Sequence, residues 1–378
     1  MNIGLYWDLR ATDPQRHTGV GKHVIGVLRY LQSRPEVGLR VLLSKDQERL
    51  WPKQSAAFGL EALPAYRLPH VQKFYRLFHG LGAWPALDEA LDGLDLVYSP
   101  MECFLRTAAV PFVNTIHGVP CFEKTVPSAV YNSWVYHRER MRQRYFFKLS
   151  RKYACCSLVV SNYLAGRVAA ISGICPERLP VVANGVDPIF FESSSVQSES
   201  RAERPRLLVV GGANRFDGAT AVLRIARLLN QRLPKARIWI VGDRHESPLE
   251  HVLARLPNVV FAGFLPSRRL AEEMCRATAL LYLPAVESFG IIGAEAMAIG
   301  LPIIASPSTA LPEVLGEAAQ WIDLSGKDDQ ILEDIIAVCR DEALRTRLIE
   351  AGHRRATEMT WPAVGARVLS ALKNALRA

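Results

Sequence analysis

The sequence predicts an α/β fold built from two successive halves, each with a doubly wound parallel sheet. Short β-rich runs alternate with helical stretches through the first half of the chain, and the same alternation restarts near residue 206. Between the halves, residues 192–205 are polar and rich in serine, so they cannot bury a core face. We therefore expect two domains, which the length of 378 residues also favours.

In the first half, the spacing of Val20, Val24, Leu28 and Leu31 predicts a helix directly after the first strand. Predicted strands of this half span residues 2–7, 39–43, 94–98, 112–116 and 158–160. Predicted strands of the second half span residues 206–210, 237–241, 259–262, 279–283 and 302–305. A closing helix is predicted within residues 361–378. We place the first domain at residues 1–195, a linker at 196–205 and the second domain at 206–360.

The composition is that of a globular protein. Hydrophobic residues make up 49% of the chain and charged residues 22%, which excludes collagen-like, disordered and coiled-coil classes. No apolar run approaches the roughly 18 residues that a membrane span needs. The amino terminus opens like a strand, without a charged leader. These features predict a cytoplasmic protein.

The cysteine pattern and the net charge limit which metals, disulfides and binding partners the protein is expected to have. The seven cysteines are scattered and form no C-x-x-C pair, so we expect buried thiols rather than disulfides or a zinc site. The net charge is +9, and the first 195 residues hold most of it, with 23 basic against 16 acidic residues. This excess is compatible with nucleic acid, anionic lipid or a phosphorylated ligand, bound by the first half.

The strongest functional signal lies in residues 281–306, where a strand, a loop, a glycine turn, a helix and a second strand follow one another. Glu295 falls within the first two turns of the helix predicted after Gly290, so its carboxylate can reach a ligand hydroxyl near the helix start. The free N–H groups of Phe289, Gly290 and Ile291 are expected to point to the same place and to bind an anion such as a diphosphate.

A carboxylate on a ribose beside a phosphate at a helix start is a geometry typical of nucleotide binding. Glu287 stands eight residues before Glu295 in the same segment, next to Ser288. The residues alone leave a second interpretation open, in which Glu287 only caps the helix and Glu295 is solvated.

A glycine turn at residues 18–22 precedes the first predicted helix. Gly19 and Gly21 would let the backbone approach a phosphate or sugar closely and would offer N–H donors at the positive end of the helix. The spacing does not match a P-loop, because the G-x-x-x-x-G-K-[ST] pattern is absent and His23 follows Lys22. It does not match the dinucleotide fingerprint, because Val24 stands where the third glycine belongs. A turn needed only for packing is the alternative.

His117 directly follows the predicted strand at residues 112–116, so it lies at the carboxyl end of a strand. A neutral imidazole at that place can hydrogen-bond a sugar hydroxyl or the reacting centre. A lone histidine is also often a satisfied structural residue, and the sequence pattern by itself does not separate the two.

Residues 281–306 closely resemble the E-x7-E signature of retaining, nucleotide-sugar-dependent glycosyltransferases of family 4, the group 1 type with the GT-B fold. Other matching positions follow in the same order along the chain: residues 18–22, 115–118, 160–161 and 184–187, Gly242, Gly263 with Phe264, residues 311–314, and Trp361. The resemblance implies two Rossmann-like domains facing a central cleft. It also implies that the last helix, residues 361–378, packs back on the first domain.

The resemblance assigns roles to individual residues. Glu295 would hold the ribose, Glu287 the donor sugar, and Arg215 with the amides of residues 289–291 the diphosphate. His117 and the Gly19–Gly21 turn would complete the site from the first domain, and Gly212, Asp217, Ser288 and Phe264 would line the donor site. No D-x-D metal motif is present, so we expect a metal-independent reaction without a cofactor.

One position departs from the family pattern. The family clamps the diphosphate with an arginine and a lysine in the first loop of the second domain, and here Phe216 or Asp217 stands where the lysine belongs. Three explanations stay open: Arg215 acts with another base such as Arg244, the donor differs from the common ones, or catalysis is impaired.

A basic run at residues 136–153 contains seven basic residues and one acidic residue, with Tyr145, Phe146 and Phe147 between them. A solvated helix face explains many such runs. The functional alternative is that the helix from Arg138 to Lys152 touches an anionic membrane surface, which suits a lipid-linked acceptor. Nucleic acid is not expected, because no nucleic-acid-binding motif is present.

The resemblance thus predicts a hexosyltransferase that moves a sugar from a donor such as a UDP- or GDP-sugar to a hydroxyl of a glycan, lipid-linked or small-molecule acceptor. It suggests a place in polysaccharide biosynthesis, at the inner face of the membrane. The alternative is a catalytically impaired nucleotide- or sugar-binding protein that acts as a partner subunit.

Overall fold

The computed structural model describes residues 1–6, 19–68, 91–123, 132–193, 204–211, 218–244 and 247–377. Contacts divide the chain into two compact units. The first unit comprises Met1–Phe122, Asn132–Gly185 and Trp361–Ala378, and the second comprises Glu123–Tyr131 and Val186–Thr360.

The first unit contains a six-stranded parallel sheet with the strand order β3-β2-β1-β4-β5-β6. Its strands are β1 (Asn2–Tyr6), β2 (Gly38–Leu43), β3 (Ala65–Arg67), β4 (Leu96–Ser99), β5 (Phe112–Ile116) and β6 (Cys156–Val159). Its α-helices span Gly19–Gln32, Lys45–Glu48, Trp51–Phe58, Trp134–Tyr153, Asn162–Ser172 and Trp361–Ala375, with short 3-10 helices at Pro120–Phe122 and Pro176–Arg178.

The second unit contains another six-stranded parallel sheet, with the order β12-β11-β10-β7-β8-β9. Its strands are β7 (Arg206–Val210), β8 (Arg237–Val241), β9 (Val259–Gly263), β10 (Ala279–Tyr282), β11 (Ile303–Ala305) and β12 (Ala319–Trp321). Its α-helices span Pro188–Glu192, Ala219–Arg232, Pro248–Ala254, Ser267–Arg276, Ile291–Ile299, Leu311–Leu315, Asp328–Arg340 and Glu342–Ala356, with 3-10 helices at Gly316–Ala318 and Thr357–Met359.

Both sheets have the same doubly wound topology. In each unit the first strand pairs with the second on one side and with the fourth on the other, so β1 lies beside β4 and β7 beside β10. The chain therefore winds in opposite directions from these central pairs, which leaves a crevice at the carboxyl ends of the strands, where ligands bind in such sheets. The predicted α/β class is confirmed, and each sheet is Rossmann-like in strand order.

The central strands form as predicted because most of their residues are apolar, as expected for strands covered by helices on both faces. All residues of β4, β5 and β10 are buried. Sequence patterning missed the two edge strands β3 and β12. Each is only three residues long, and all three residues of β3 are exposed, so neither carries an apolar run.

The chain passes from the first unit to the second between Gly185 and Val186, whereas the sequence placed the domain boundary at residue 195. The helix Pro188–Glu192 lies on the second-unit side of this division because its contacts are with the helices Ser267–Arg276 and Ile291–Ile299. Of the linker placed at 196–205, residues 196–203 lie outside the described residues.

None of the seven cysteines, all of which lie in the described ranges, forms a disulfide, but they are not uniformly buried. Cys103, Cys121 and Cys339 are buried, whereas Cys175 is exposed and the other three are partly exposed. The expectation of buried thiols is therefore wrong for four of them. Within the described ranges, no helix combines the length and the apolar character needed to cross a membrane.

Trp361 anchors the closing helix, Trp361–Ala375, within the first unit. The helix contacts Gly19–Gln32, and its residues Val364, Val368 and Leu372 are fully buried. A Cβ on Gly26 would lie 2.1 Å from the Trp361 ring, and one on Gly185 would lie 2.4 Å from it. The indole therefore fills space that only glycine leaves open at both positions.

The substitution Gly26→Ala should destabilise the first unit, because its methyl group overlaps the Trp361 ring. We expect the free energy of unfolding, measured by chemical denaturation, to fall by about 1–3 kcal/mol. The matched control is Gly166→Ala, at an exposed position inside the helix Asn162–Ser172 where a Cβ meets no atom within 4 Å. That control should gain about 0.5–1 kcal/mol, and equal effects of the two changes would contradict this packing.

Candidate functional site

The carboxyl ends of β7 and β10 line a cavity at the strand-order reversal of the second sheet. Residues lining it include Val210, Gly211, Tyr282, Pro284, Glu287 and Ile292. The cavity thus joins the loop after β7, the loop after β10 and the first turn of the helix Ile291–Ile299. This is the position at which open α/β sheets bind their ligands.

Glu287 is the acidic side chain of this cavity, and its carboxylate is held by several donors. The Tyr282 hydroxyl donates a hydrogen bond of 2.6 Å to Oε1. Backbone N–H groups of Ser288, Phe289 and Gly290 also hydrogen-bond to the carboxylate. Burial raises the pKa of Glu287 above its ordinary value, while these hydrogen bonds oppose the rise.

The amides of Phe289 and Gly290 therefore serve Glu287 in this structure, whereas the sequence assigned them, with Ile291, to a diphosphate. These amides belong to the turn before the helix, which begins at Ile291, and not to the helix itself. Phe289 is buried, Ser288 is partly exposed, and Ile291 is the first residue of the helix.

Glu295 lies on the inner side of the helix Ile291–Ile299 and is 0% exposed. Its neighbours Ala294 and Ala296 are also fully buried. The alternative interpretation, in which Glu295 is solvated, is therefore wrong. A carboxyl group in such an environment is costly unless polar groups or a ligand compensate for the lost water.

Gly290 sets the start of this helix. It has φ +91°, and a Cβ there would lie 2.5 Å from Leu311 Cδ2. Both the left-handed backbone and the close packing require glycine at this turn. The turn brings Glu287 and the helix start to the same end of the sheet.

The two described residues that flank the first loop of the second unit lie at the same crevice. Gly212, Arg215 and Asp217 lie outside the described residues, but the flanking residues Gly211 and Gly218 are described. A Cβ on Gly218 would lie 1.7 Å from the Leu283 carbonyl oxygen. Both ends of the loop therefore lie beside the end of β10, as a ligand-binding loop requires.

Two other predicted residues of the second unit lie apart from the cavity lining. Phe264 follows the edge strand β9 and is 41% exposed. Arg244 follows β8, and its guanidinium lies over the Phe261 ring at 5.0 Å. The structure thus does not place either side chain on the cavity at β7 and β10.

In the first unit, His117 follows β5 and is fixed by the loop after β4. Its backbone N–H donates to Glu102 Oε1 at 2.6 Å, and its Nε2 lies 2.9 Å from the Pro100 carbonyl oxygen. Because a carbonyl only accepts, neutral His117 carries its proton on Nε2, and Nδ1 is an acceptor.

His23 is a buried neighbour of His117 that the sequence analysis did not single out. The two rings stand edge to face with centroids 4.8 Å apart, and His23 Nδ1 lies 2.8 Å from Asn184 Oδ1. Burial, followed by the proximity of His117, lowers the pKa of His23 well below its usual value, although the Asn184 hydrogen bond opposes this. The sequence contained one indication of His23: it is a histidine in the first two turns of a helix that follows a strand.

Gly19 and Gly21 lie within the first turn of the helix Gly19–Gln32, rather than in a turn before it. Their N–H groups are thus among those at the helix start that have no acceptor four residues earlier in the helix. Within the described part of the chain, no group of three or more His, Cys, Asp or Glu side chains is arranged to hold a metal ion.

Comparison with known proteins adds family matches over both units. The model of glycosyl transferases group 1 matches residues 190–355. The model of glycosyltransferase family 4 matches residues 17–190, so the two matches adjoin and together cover most of the chain.

Individual relatives are distant. The chain is 27% identical to the MMP alpha-(1->4)-mannosyltransferase of Mycolicibacterium hassiacum over 70% of this chain and 66% of the relative. It is 28% identical to the phosphatidyl-myo-inositol mannosyltransferase of Mycobacterium tuberculosis over 50% of this chain and 52% of the relative. The matched region spans about half to two thirds of the length of such curated relatives.

Among solved structures, the chain is similar to HepE of Anabaena in complex with UDP and glucose. The TM-score is 0.65 at 16% sequence identity, over 98% of this chain and 99% of that one. A likeness at this identity shows the fold, and it confirms the predicted GT-B class.

The substitution Gly218→Ala should disrupt the cavity, because its Cβ would overlap the Leu283 carbonyl oxygen. The matched control is Gly263→Ala, at φ +70° with nothing within 4 Å of a Cβ, against φ +69° at Gly218. Both alanines incur the cost of a left-handed residue, about 1–2 kcal/mol, and only Gly218→Ala adds a backbone clash. We expect Gly218→Ala to lose at least about 1 kcal/mol more in urea denaturation than its control. Similar losses in the two variants would show that the close contact between Gly218 and the Leu283 carbonyl oxygen does not contribute to the free energy of unfolding.

Proposed function

Because the chain belongs to the group 1 glycosyltransferases of family 4, we propose that it transfers a hexose-type sugar from a nucleotide-diphosphate sugar to an acceptor hydroxyl, with retention of configuration. The observation that carries this proposal is the position of two glutamates at the strand-order reversal of the second sheet: Glu287 lines the cavity, and Glu295 lies buried in the helix that begins beside it. UDP- or GDP-sugars are the donor class that we propose.

Glu295 is assigned to the ribose. Carboxylates at the crevice of doubly wound sheets accept hydrogen bonds from ribose hydroxyls. Its complete burial supports a binding role, since a buried carboxylate excludes competing water and strengthens each hydrogen bond that it accepts.

Glu287 is assigned to the donor sugar. It lines the cavity, and the donors that hold its carboxylate fix the direction in which the remaining lone pairs face. Sugar hydroxyls donate well to such a preoriented acceptor.

The leaving diphosphate gains negative charge as the glycosidic bond breaks. We assign its stabilisation to the start of the helix Ile291–Ile299 and to Arg215, with Gly212 in the same loop. Asp217 would repel a diphosphate, so we assign it to a sugar hydroxyl. The missing family lysine leaves Arg244 as a second base, which would have to leave Phe261 to take part. His117 is assigned a sugar contact through its Nδ1.

We propose as well that the helix Trp134–Tyr153 binds an anionic membrane surface, as a lipid-linked acceptor would require. Trp134, Val135 and Met141 are 72%, 55% and 57% exposed. Arg138 and Arg142 lie on the same stripe and are exposed, while Phe147 and Leu149 are buried in the unit. Exposed apolar residues beside arginines suit an interface with anionic lipid headgroups.

The donor assignment predicts different effects for Glu287→Gln and Glu295→Gln. Glu295→Gln should weaken binding of the free nucleoside diphosphate about 10–100-fold, whereas Glu287→Gln should weaken only the nucleotide-sugar, because it contacts the sugar. The measurements are calorimetric binding and nucleoside diphosphate release with UDP-, GDP-, ADP- and TDP-sugars, without added metal. Glu317→Gln, at an exposed carboxylate, is the control and should change neither.

If no nucleotide of the panel binds, the transferase proposal fails. If one nucleotide-sugar binds but no release follows with glycan, lipid and small-molecule acceptors, the partner-subunit alternative replaces it. Equal weakening of nucleotide and nucleotide-sugar by Glu287→Gln would contradict the role given to that residue.

The membrane assignment predicts that the protein sediments with phosphatidylglycerol-containing vesicles and not with phosphatidylcholine vesicles, and that salt weakens the binding. Arg138→Gln/Arg142→Gln should reduce sedimentation several-fold, at about 1 kcal/mol per charge near the surface. The matched control, Arg268→Gln/Arg269→Gln, removes the same charge from an exposed site of the second unit. Equal losses in both pairs would point to net charge alone and contradict a defined membrane face.

A further inference from the structure

Thr309 has a backbone conformation that its side chain disfavours. Its φ is +45°, and among the non-glycine residues that the structure describes only Ala183 shares a positive φ. Threonine is β-branched, and such residues are genuine outliers in the left-handed region. The surrounding structure must hold Thr309 in this conformation, which is a pattern found at functional sites.

The strained residue holds the backbone of Glu287 through its hydroxyl. The Glu287 N–H donates to Thr309 Oγ1 at 2.7 Å, and the same hydroxyl donates to the Glu287 carbonyl oxygen at 2.6 Å. The Ala310 N–H also lies 3.3 Å from that carbonyl oxygen. Both peptide groups flanking the Glu287 Cα are thus fixed from the loop that follows β11.

The carboxylate of Glu287 is fixed separately, by Tyr282 at the end of β10 and by the amides of its own turn. Tyr282 and Thr309 therefore act on different parts of one residue, Tyr282 from β10 and Thr309 from the loop after the neighbouring strand β11. A serine or threonine hydroxyl can donate and accept at once, which no aliphatic side chain at this position can do.

We propose that Thr309 is a positioning residue, whose hydroxyl orients Glu287 so that its carboxylate recognises the donor sugar. This inference rests on the sugar-binding role proposed for Glu287. Thr309 does not touch the substrate in this proposal. It limits rotation of the Glu287 backbone, so that the carboxylate meets the sugar hydroxyls without reorganisation.

A purely structural role makes a different prediction. If Thr309 only stabilised the fold, then relieving its strain with glycine would preserve function better than an isosteric residue that keeps the strain. If the hydroxyl positions Glu287, binding of the nucleotide-sugar should depend on the presence of the hydroxyl and not on the stability of the variant.

Three variants separate these cases. Thr309→Ser keeps the hydroxyl, Thr309→Val keeps the shape and the strain without the hydroxyl, and Thr309→Gly removes both. We expect Thr309→Gly to unfold at a higher urea concentration than Thr309→Val, because glycine accepts φ +45°. We expect both to bind the nucleotide-sugar about 10-fold more weakly than the wild type, with binding of the free nucleoside diphosphate unchanged. Thr309→Ser should bind both ligands within about threefold of the wild type.

Sugar recognition that survives in Thr309→Gly but not in Thr309→Val would overturn the proposal, as would full recognition in Thr309→Val. The variant Glu287→Gln, measured in the same series, separates a failure of the role proposed for Glu287 from a failure of the role proposed for Thr309. If Glu287→Gln retains sugar recognition, the role of Glu287 itself fails. If Glu287→Gln loses it while Thr309→Val retains it, only the positioning role of Thr309 fails.

Discussion

The reversal of strand order beside the first strand of each sheet is the constraint on which the candidate site depends. In the second unit it makes β7 and β10 neighbours, so the residues that directly follow them, Gly211 and Leu283, line the same crevice. Gly218 fits beside the Leu283 carbonyl oxygen only because it has no side chain, and Gly290 packs against Leu311 for the same reason. The cavity exists because right-handed connections leave the two central strands in opposite directions.

Glu287 combines two opposing effects in this crevice. Burial raises its pKa, whereas hydrogen bonds from Tyr282 and from the backbone of its own turn favour the charged form. Water is replaced by fixed donors, so each remaining interaction of the carboxylate is stronger than it would be in solvent. The residue is thereby oriented before any ligand arrives, which is the condition for selective recognition of a neutral polar ligand such as a sugar.

In the first unit, the imidazole ring of His117 is also held in place by neighbouring groups. His117 is held by groups from the loop after β4, and His23 packs edge to face against it from a helix. The strand pattern indicated His117, because a polar residue directly follows an apolar run. It did not indicate His23. A histidine among apolar residues of a helix gives the same local pattern whether its side chain packs in the core or binds a ligand.

The sequence by itself determined the alternation of strands and helices and the central strands of both sheets. It also determined that Glu287 precedes, and Glu295 lies within, one helix. These follow from periodicity and from glycine, which act within a few residues along the chain. Only the tertiary structure decided that Glu295 is buried, that the Glu287 carboxylate takes the amides of its own turn, and that Thr309 holds the Glu287 backbone. Those contacts depend on which strands lie side by side, and hydrogen bonds between residues 22 positions apart leave no periodic trace in a sequence.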